Sequence, residues 1–308
     1  MKDNYLLLLL GSSVDIFYQA SSYPSEGSYT HAKFIGNFAG GPPLNVGCVA
    51  ASKSVNVKAI DLLKENDSQT DFLLNHLQKN NIDISNIQFD KDAVNGSVVV
   101  ITTNENRTMF VVDPVRKPYT IDEKLQDLLN NATYIYGLMH IVNRCFDSLE
   151  PLLEAKRHGA KVCLDGSSKY DDPSREEILY KLADGLFINT ESYQDLKNIS
   201  GFDPKEKIFA NNGEFVCVTD GANGAKCYTK DFCYQSDALK VDVIDSTGAG
   251  DSFAGAFIAS LLKKYDYQKA LRLASASGAY CCTKVGGCSA VCSEEELINF
   301  AKKHNFDI

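Results

Sequence analysis

The sequence lacks a surplus of positive charge, a long apolar run and any low-complexity stretch. Its 31 Lys and Arg face 40 Asp and Glu, a formal net charge of −9. Non-specific attraction to nucleic-acid backbones or anionic membranes is therefore excluded as its main business. No apolar stretch approaches the roughly 20 residues a membrane helix needs. Leu6–Leu10 is apolar but runs directly into Gly11-Ser12-Ser13-Val14-Asp15 without a small-residue cleavage site, so it reads as a buried first strand rather than the core of a secretory signal. With 21 Gly and 8 Pro, the chain is far from low-complexity composition, and it shows no Pro/Gly/Ser-rich linker, internal repeat or block of like charge. One domain over residues 1–308 is the expectation, placed in the cytoplasm with reduced thiols. Ten cysteines would imply disulfides only in an oxidising compartment. The group Cys281, Cys282, Cys288 and Cys292 matches no zinc or iron–sulfur spacing and reads as small buried side chains.

What is present is a soluble globular composition, 44% hydrophobic and 23% charged. Short apolar runs alternate with segments of helical period, which points to βα units feeding a mainly parallel sheet. The candidate core strands are Tyr5–Leu10, Tyr134–Leu138, Lys161–Asp165, Gly185–Asn189 and Phe215–Thr219. Helical spacing places Phe72, Leu73 and Leu77 on one side of 71–79, and Leu149, Leu152 and Leu153 on one side of 146–156. Two stretches break the rhythm. Residues 14–38 are rich in Ser, Tyr and Gly without helical period, and 94–116 contains two apparent strands, Ser97–Thr102 and Thr108–Val112. These form a candidate accessory sheet over one edge of the main one.

The sharpest chemical signal is Asp245-Ser246-Thr247-Gly248-Ala249-Gly250-Asp251. An apparently extended segment, Leu239–Ile244, enters it, and an apolar helix with Phe253, Phe257 and Leu261 spaced four apart leaves it. Glycines at a helix start allow unusual backbone conformations, and free N–H groups there, helped by the helix dipole, make an anion hole. A carboxylate at Asp251, beside that hole, could take a proton from an attacking hydroxyl. The same residues would also serve as a plain helix cap and turn. A second glycine motif, Gly40-Gly41-Pro42-Pro43-Leu44-Asn45, opens another helix, where the Asn45 amide offers both donor and acceptor to a polyol. Asp15 follows the first strand at the sheet end where α/β proteins bind ligands. Val218–Ala225 joins two strands by a Gly-rich loop that suits nucleotide phosphates or a simple hairpin turn.

Together these residues resemble the PfkB, or ribokinase-like, family of carbohydrate kinases. Asp245–Asp251 is similar to the family's D-T-x-G-A-G-D signature, with Ser246 at a commonly Thr position, and Gly40–Asn45 is similar to its G-G-x-x-x-N signature. The resemblance covers nearly the whole chain. It implies a three-layer α/β/α sandwich with a small β-sheet lid from about 14–38 and 94–116. It implies an enzyme that moves the γ-phosphoryl group of ATP to a hydroxyl of a small carbohydrate. Asp251 would be the base and the N–H groups of Gly248, Ala249 and Gly250 the anion hole. Asp15, Gly40, Gly41 and Asn45 would bind the sugar, and Asn189, Thr219, Gly221 and Gly224 the ATP with its Mg²⁺. Asp245 and Thr247 suit a monovalent cation such as K⁺.

Two departures from the family pattern stand out. Where relatives carry N-x-x-E, whose Glu organises Mg²⁺ through water, this chain has Asn189-Thr190-Glu191-Ser192, with Glu191 one position early. After Gly286-Gly287, where many relatives have Pro, it has Cys288-Ser289-Ala290. The acceptor is open among a free sugar, a nucleoside and a sugar phosphate. Tyr18, Tyr23, Tyr29, Arg107, Phe110, Arg116 and Met139 are lid candidates that define no single pocket; Arg107 and Arg116 could pair with a carboxylate or phosphate on a sugar acid or sugar phosphate, or simply be solvated. A non-catalytic sensor of sugar or nucleotide is the reading from another class, disfavoured by the intact Asp251. A dinucleotide-dependent dehydrogenase would need G-x-G-x-x-G after the first strand, where Gly11-Ser12-Ser13 stands. A homodimer through lid edges is compatible with an unpaired small sheet.

Overall fold

The computed structural model describes residues 4–104, 106–112, 114–166, 180–286 and 291–308. Along the chain the strands are β1 (Tyr5–Leu9), β2 (Ser13–Ala20), β3 (Ala32–Gly40), β4 (Asn56–Ile60), β5 (Leu62–Lys64), β6 (Ile82–Asp83), β7 (Gln88–Asp90), β8 (Gly96–Thr102), β9 (Arg107–Val112), β10 (Tyr134–Leu138), β11 (Lys161–Asp165), β12 (Gly185–Asn189), β13 (Phe215–Thr219), β14 (Ala225–Tyr228) and β15 (Cys233–Ser236). Nine of them form the main sheet, in the order β15-β14-β13-β12-β11-β10-β1-β4-β6. Pairing is parallel from β6 across to β13. Only β14 and β15 run antiparallel, as a hairpin edge.

The leucine run that opens the chain shows why this sheet sits between two helical layers. Leu6 and Leu8 pack into one buried cluster, with Leu44, Leu73, Phe257 and Leu271 from helices Pro42–Ser52, Ser68–Lys79, Ala249–Leu262 and Tyr267–Cys282. Tyr5, Leu7 and Leu9 face the opposite cluster, with Leu125, Leu152, Leu196 and Ile208 from helices Glu123–Asn131, Glu150–Arg157, Thr190–Ser200 and Pro204–Ala210. A strand buried on both faces reads as a continuous apolar run because neither side of its pleat meets water. The fold is thus an α/β/α sandwich, and the ends of β1, β10, β11, β12 and β13 open on one side of it.

Four further strands form a separate small sheet, in the order β3-β2-β8-β9. Its strands bracket the two stretches that broke the βα rhythm. β2 lies antiparallel to β3 and parallel to β8, which lies antiparallel to β9. β1 ends at Leu9 and β2 begins at Ser13, so the small sheet grows directly out of the C-terminal ends of the large sheet's strands.

Leu239–Ile244 joins no sheet; Ile244 N–H donates to Cys282 O at 2.8 Å, at the end of a helix. One expectation is corrected. Met139 is not on the small sheet; it is buried in the core at the start of helix Met139–Cys145. Cys288, Ser289 and Ala290, one of the two departures from the family pattern, lie outside the described residues.

Candidate active site

Gly248 caps helix Ala249–Leu262 in the left-handed region, at φ 78° and ψ 5°, a conformation that glycine adopts without Cβ strain. Behind this turn the helix is almost wholly apolar and buried, so its first residues are held firmly at the edge of the core. Gly250 and Asp251 both line a cavity of about 210 Å³ at the ends of the parallel strands. Leu138, Asp165, Asn189 and Thr219, the last residues of β10, β11, β12 and β13, form its floor, with Pro42 and Phe253 completing the wall. A Cβ built at Gly250 would meet nothing within 4 Å, so its backbone faces open space. The Ala249 N–H, by contrast, is turned back onto Ser246 O at 3.2 Å.

Asp251 lines this cavity and accepts a hydrogen bond from Asn45 Nδ2 at 2.7 Å. That contact ties together two motifs 206 residues apart. Burial raises the Asp251 carboxyl to about 7; the Asn45 amide pulls it down, and the neighbouring Asp165 carboxylate pushes it further up. A carboxyl near 7 divides between acid and base forms at neutral pH, where a proton acceptor is most useful. Asp165 accepts from Tyr136 Oη at 3.2 Å and is buried at the cavity floor. Motif reading missed it. The available signal was a lone carboxylate at the end of an apolar core strand, where parallel sheets place their ligands.

The residues expected on the sugar side gather at the junction of the two sheets. Asp15, on β2, accepts from Ser13 Oγ at 3.0 Å, and burial raises its pKa against that bond. A Cβ on Gly40 would collide with the Asp15 carboxylate, so that close approach requires a glycine. Gly41 has φ 108°, and a Cβ there would stand 2.9 Å from Gly11 O. From Gly41 the chain enters helix Pro42–Ser52, which carries Asn45 to Asp251.

The expected nucleotide residues divide. Asn189 and Thr219 line the cavity, whereas Gly221 and Gly224 shape the β13–β14 hairpin beside it, with Asp220 N–H donating to Gly224 O at 2.8 Å. The Asn189 side chain also accepts from Ser192 N at 2.7 Å, capping helix Thr190–Ser200. Glu191 is exposed in the first turn of that helix and does not line the cavity. Asp245 and Thr247 are adjacent: Asp245 Oδ1 accepts from Thr247 N at 2.9 Å and Oγ1 at 2.6 Å, while Oδ2 accepts from Gly286 N at 3.1 Å. Burial pushes the Asp245 pKa up, but these bonds, with Arg107 nearby, leave it below its ordinary value. Arg116, considered for an anionic acceptor, is instead committed to Asp61 at 2.6 Å with its side chain only 7% exposed.

A sandwich of this kind, with a carboxylate at a glycine-led helix start, defines a ribokinase-like phosphotransferase. The chain belongs to the pfkB family of carbohydrate kinases, whose family model matches residues 6–294. Fructokinase-2 of Zea mays is 27% identical over 284 residues, covering 84% of each chain. The structure of Arabidopsis thaliana ribokinase complexed with ribose and ATP superposes with a TM-score of 0.82 at 18% identity, covering 97% of this chain and 99% of that one. An E. coli candidate ribokinase II in complex with ATP and Mg²⁺ gives a TM-score of 0.79 at 20% identity, covering 98% of this chain and 100% of that one. Among the described residues no helix is long and apolar enough to cross a membrane.

Proposed function

We propose that this chain phosphorylates a hydroxyl of a small free sugar with the γ-phosphoryl group of ATP, and that Asp251 is the general base. The observation that carries this reading is Asp251 itself, held by Asn45 at 2.7 Å beside Gly250 in one cavity, with a carboxyl near 7. The backbone of Gly248 and Gly250, and of Ala249 once its N–H leaves Ser246, would bind the phosphoryl oxygens at the helix start. Asp15, Gly40, Gly41 and Asn45 would hold the sugar, with the small sheet as its lid. Asn189 and Thr219 would contact ATP at the cavity floor, and Gly221 and Gly224 would shape the loop over it.

The relatives' names, fructokinase and ribokinase, favour a free ketose or aldose. The burial of Arg116 against Asp61 removes one of the two cations that would have recognised a phosphate on the acceptor. Mg²⁺ would neutralise the ATP phosphates. Asp165 is the carboxylate already in the cavity for it, and Glu191 would act from outside through water. Asp245 remains ionised beside Thr247, and the pair would suit a monovalent cation next to the loop once the Arg107 guanidinium, which lies on the same two side chains, turns away from them.

The test is ADP release with Mg-ATP across D-fructose, D-ribose, nucleosides and sugar phosphates, in potassium and in sodium salts. Asp251→Asn is the control. One preferred sugar whose turnover falls by roughly 10²-fold or more in the variant supports the reading, since that is the scale of a lost general base. ATP binding without turnover of any acceptor would favour a sensor. A potassium response above the sodium level supports the cation beside Asp245.

A further inference from the structure

Arg107 is the first residue of β9, the edge strand of the small sheet. Its side chain nevertheless ends on the main body: Nη1 donates to Thr247 Oγ1 and lies 3.5 Å from Asp245 Oδ1. Thr247 immediately precedes Gly248, the cap of helix Ala249–Leu262. The small sheet therefore reaches across to the glycine turn through one cation. A guanidinium carries five N–H donors, and among the described residues Arg107 donates through Nη1 alone. The side chain is 45% exposed, and an exposed pair of this kind adds little to stability, so holding the fold together does not account for it. Arg107 is also the cation Arg116 fails to be, since Arg116 is buried against Asp61.

We propose that Arg107 is a catalytic residue whose guanidinium contacts the transferring phosphoryl group at the start of helix Ala249–Leu262. This rests on the kinase reading above and adds to it a charge carried by the lid. The helix start supplies backbone N–H groups and a partial positive charge, but the phosphoryl group in transfer carries negative charge on three oxygens. A planar fork with free donors matches those oxygens where a backbone turn alone reaches only part of them. Because β9 belongs to the same sheet as Asp15 on β2, the sheet that covers the sugar also brings the cation to the phosphoryl group. Sugar binding and charge stabilisation would then be completed together.

The experiment compares wild type, Arg107→Ala and Arg107→Lys by turnover of D-fructose and D-ribose with Mg-ATP. It also measures affinity for ADP and for ADP with aluminium fluoride, a mimic of the phosphoryl group in transfer. The expected result is a 10²–10³-fold fall in kcat for Arg107→Ala, the scale of one lost charge-stabilising donor. ADP affinity should stay within threefold, affinity for ADP–aluminium fluoride should fall in step with kcat, and added guanidinium should restore part of the turnover of the Ala variant. Arg107→Lys should lie between the two. An Ala variant whose kcat stays within threefold of wild type overturns the proposal. So does equal weakening of ADP and ADP–aluminium fluoride, which marks a structural role. A wild-type protein that neither turns over a sugar nor prefers ADP–aluminium fluoride to ADP overturns the kinase reading and this inference with it.

Discussion

Asp251 occupies a position that function and stability value differently. Its carboxyl, raised from 3.8 to about 7, is ionised only as pH passes neutrality. A base must be ionised to act, so kcat/KM with the preferred sugar should rise with pH through an apparent pKa near 7 and level off above it. A profile flat from pH 5.5 to 8.5 would remove Asp251 from the base role. The same shift carries a stability consequence of opposite sense. The folded pKa lies above the unfolded one, so the folded state holds the proton more tightly, and the stability this provides is lost as pH rises through about 7. At pH 8 the buried charge is a cost that Asp251→Asn would relieve. We expect that variant to melt higher than wild type at pH 8, by roughly 5 °C, with the margin shrinking as pH falls to 5, when measured by thermal unfolding in both buffers. A variant that melts lower than wild type at pH 8 would show that the carboxylate is better solvated than its burial indicates.

At the scale of elements, the glycines of the two motifs do different work. Gly40 and Gly41 are packed against Asp15 and Gly11, whereas Gly250 faces open cavity. Gly250→Val should therefore leave thermal stability within about 2 °C of wild type, since helix propensity alone changes by well under about 1 kcal/mol. Turnover should nevertheless fall by at least about tenfold, because the side chain projects where a phosphoryl group would sit. Gly40→Val should lose stability and activity together; melting curves and rates for the two variants separate the cases. The distinction between these glycines could not be read from the sequence, because it depends on what lies opposite them. The element pattern itself was largely legible, because strands buried on both faces announce themselves as apolar runs. β4, Asn56–Ile60, was missed because Lys58 interrupts its run; in the fold the Lys58 ammonium lies over the Tyr5 ring, 4.3 Å from its centroid, so the cation sits on the aromatic face of the neighbouring strand. Within the site, Asp251 and Asn45 were legible as motifs, but Asp165 belongs to no motif and enters the cavity lining only when β11 is placed beside the glycine turn.

At the scale of the whole molecule, the small sheet leaves two strand edges open. Its edge strands β3 and β9 have no further strand neighbour in that sheet, and β9 is exposed along its full length, with Phe110 at 59% and Val111 at 69% exposure. Phe34, Ile35 and Phe38 on β3 add apolar surface at the other edge. An exposed, unpaired edge rich in apolar residues is a template for another strand. A second copy of the same chain is the partner that satisfies both edges symmetrically, since each copy offers the same unpaired strands and a two-fold arrangement closes on itself. We therefore expect a dimer in sedimentation equilibrium at micromolar concentration, converted to monomer by Val111→Glu, a substitution distant from the core that should leave the melting of the sandwich nearly unchanged. A wild-type protein that remains monomeric at 100-fold higher concentration, or a Val111→Glu variant that still dimerises, would place the contact elsewhere. Such a dimer would also bear on catalysis. Arg107 begins the same strand, so an interface that fixes β9 would fix the reach of the guanidinium toward Thr247, and the monomeric variant should lose turnover even though Val111 does not line the cavity.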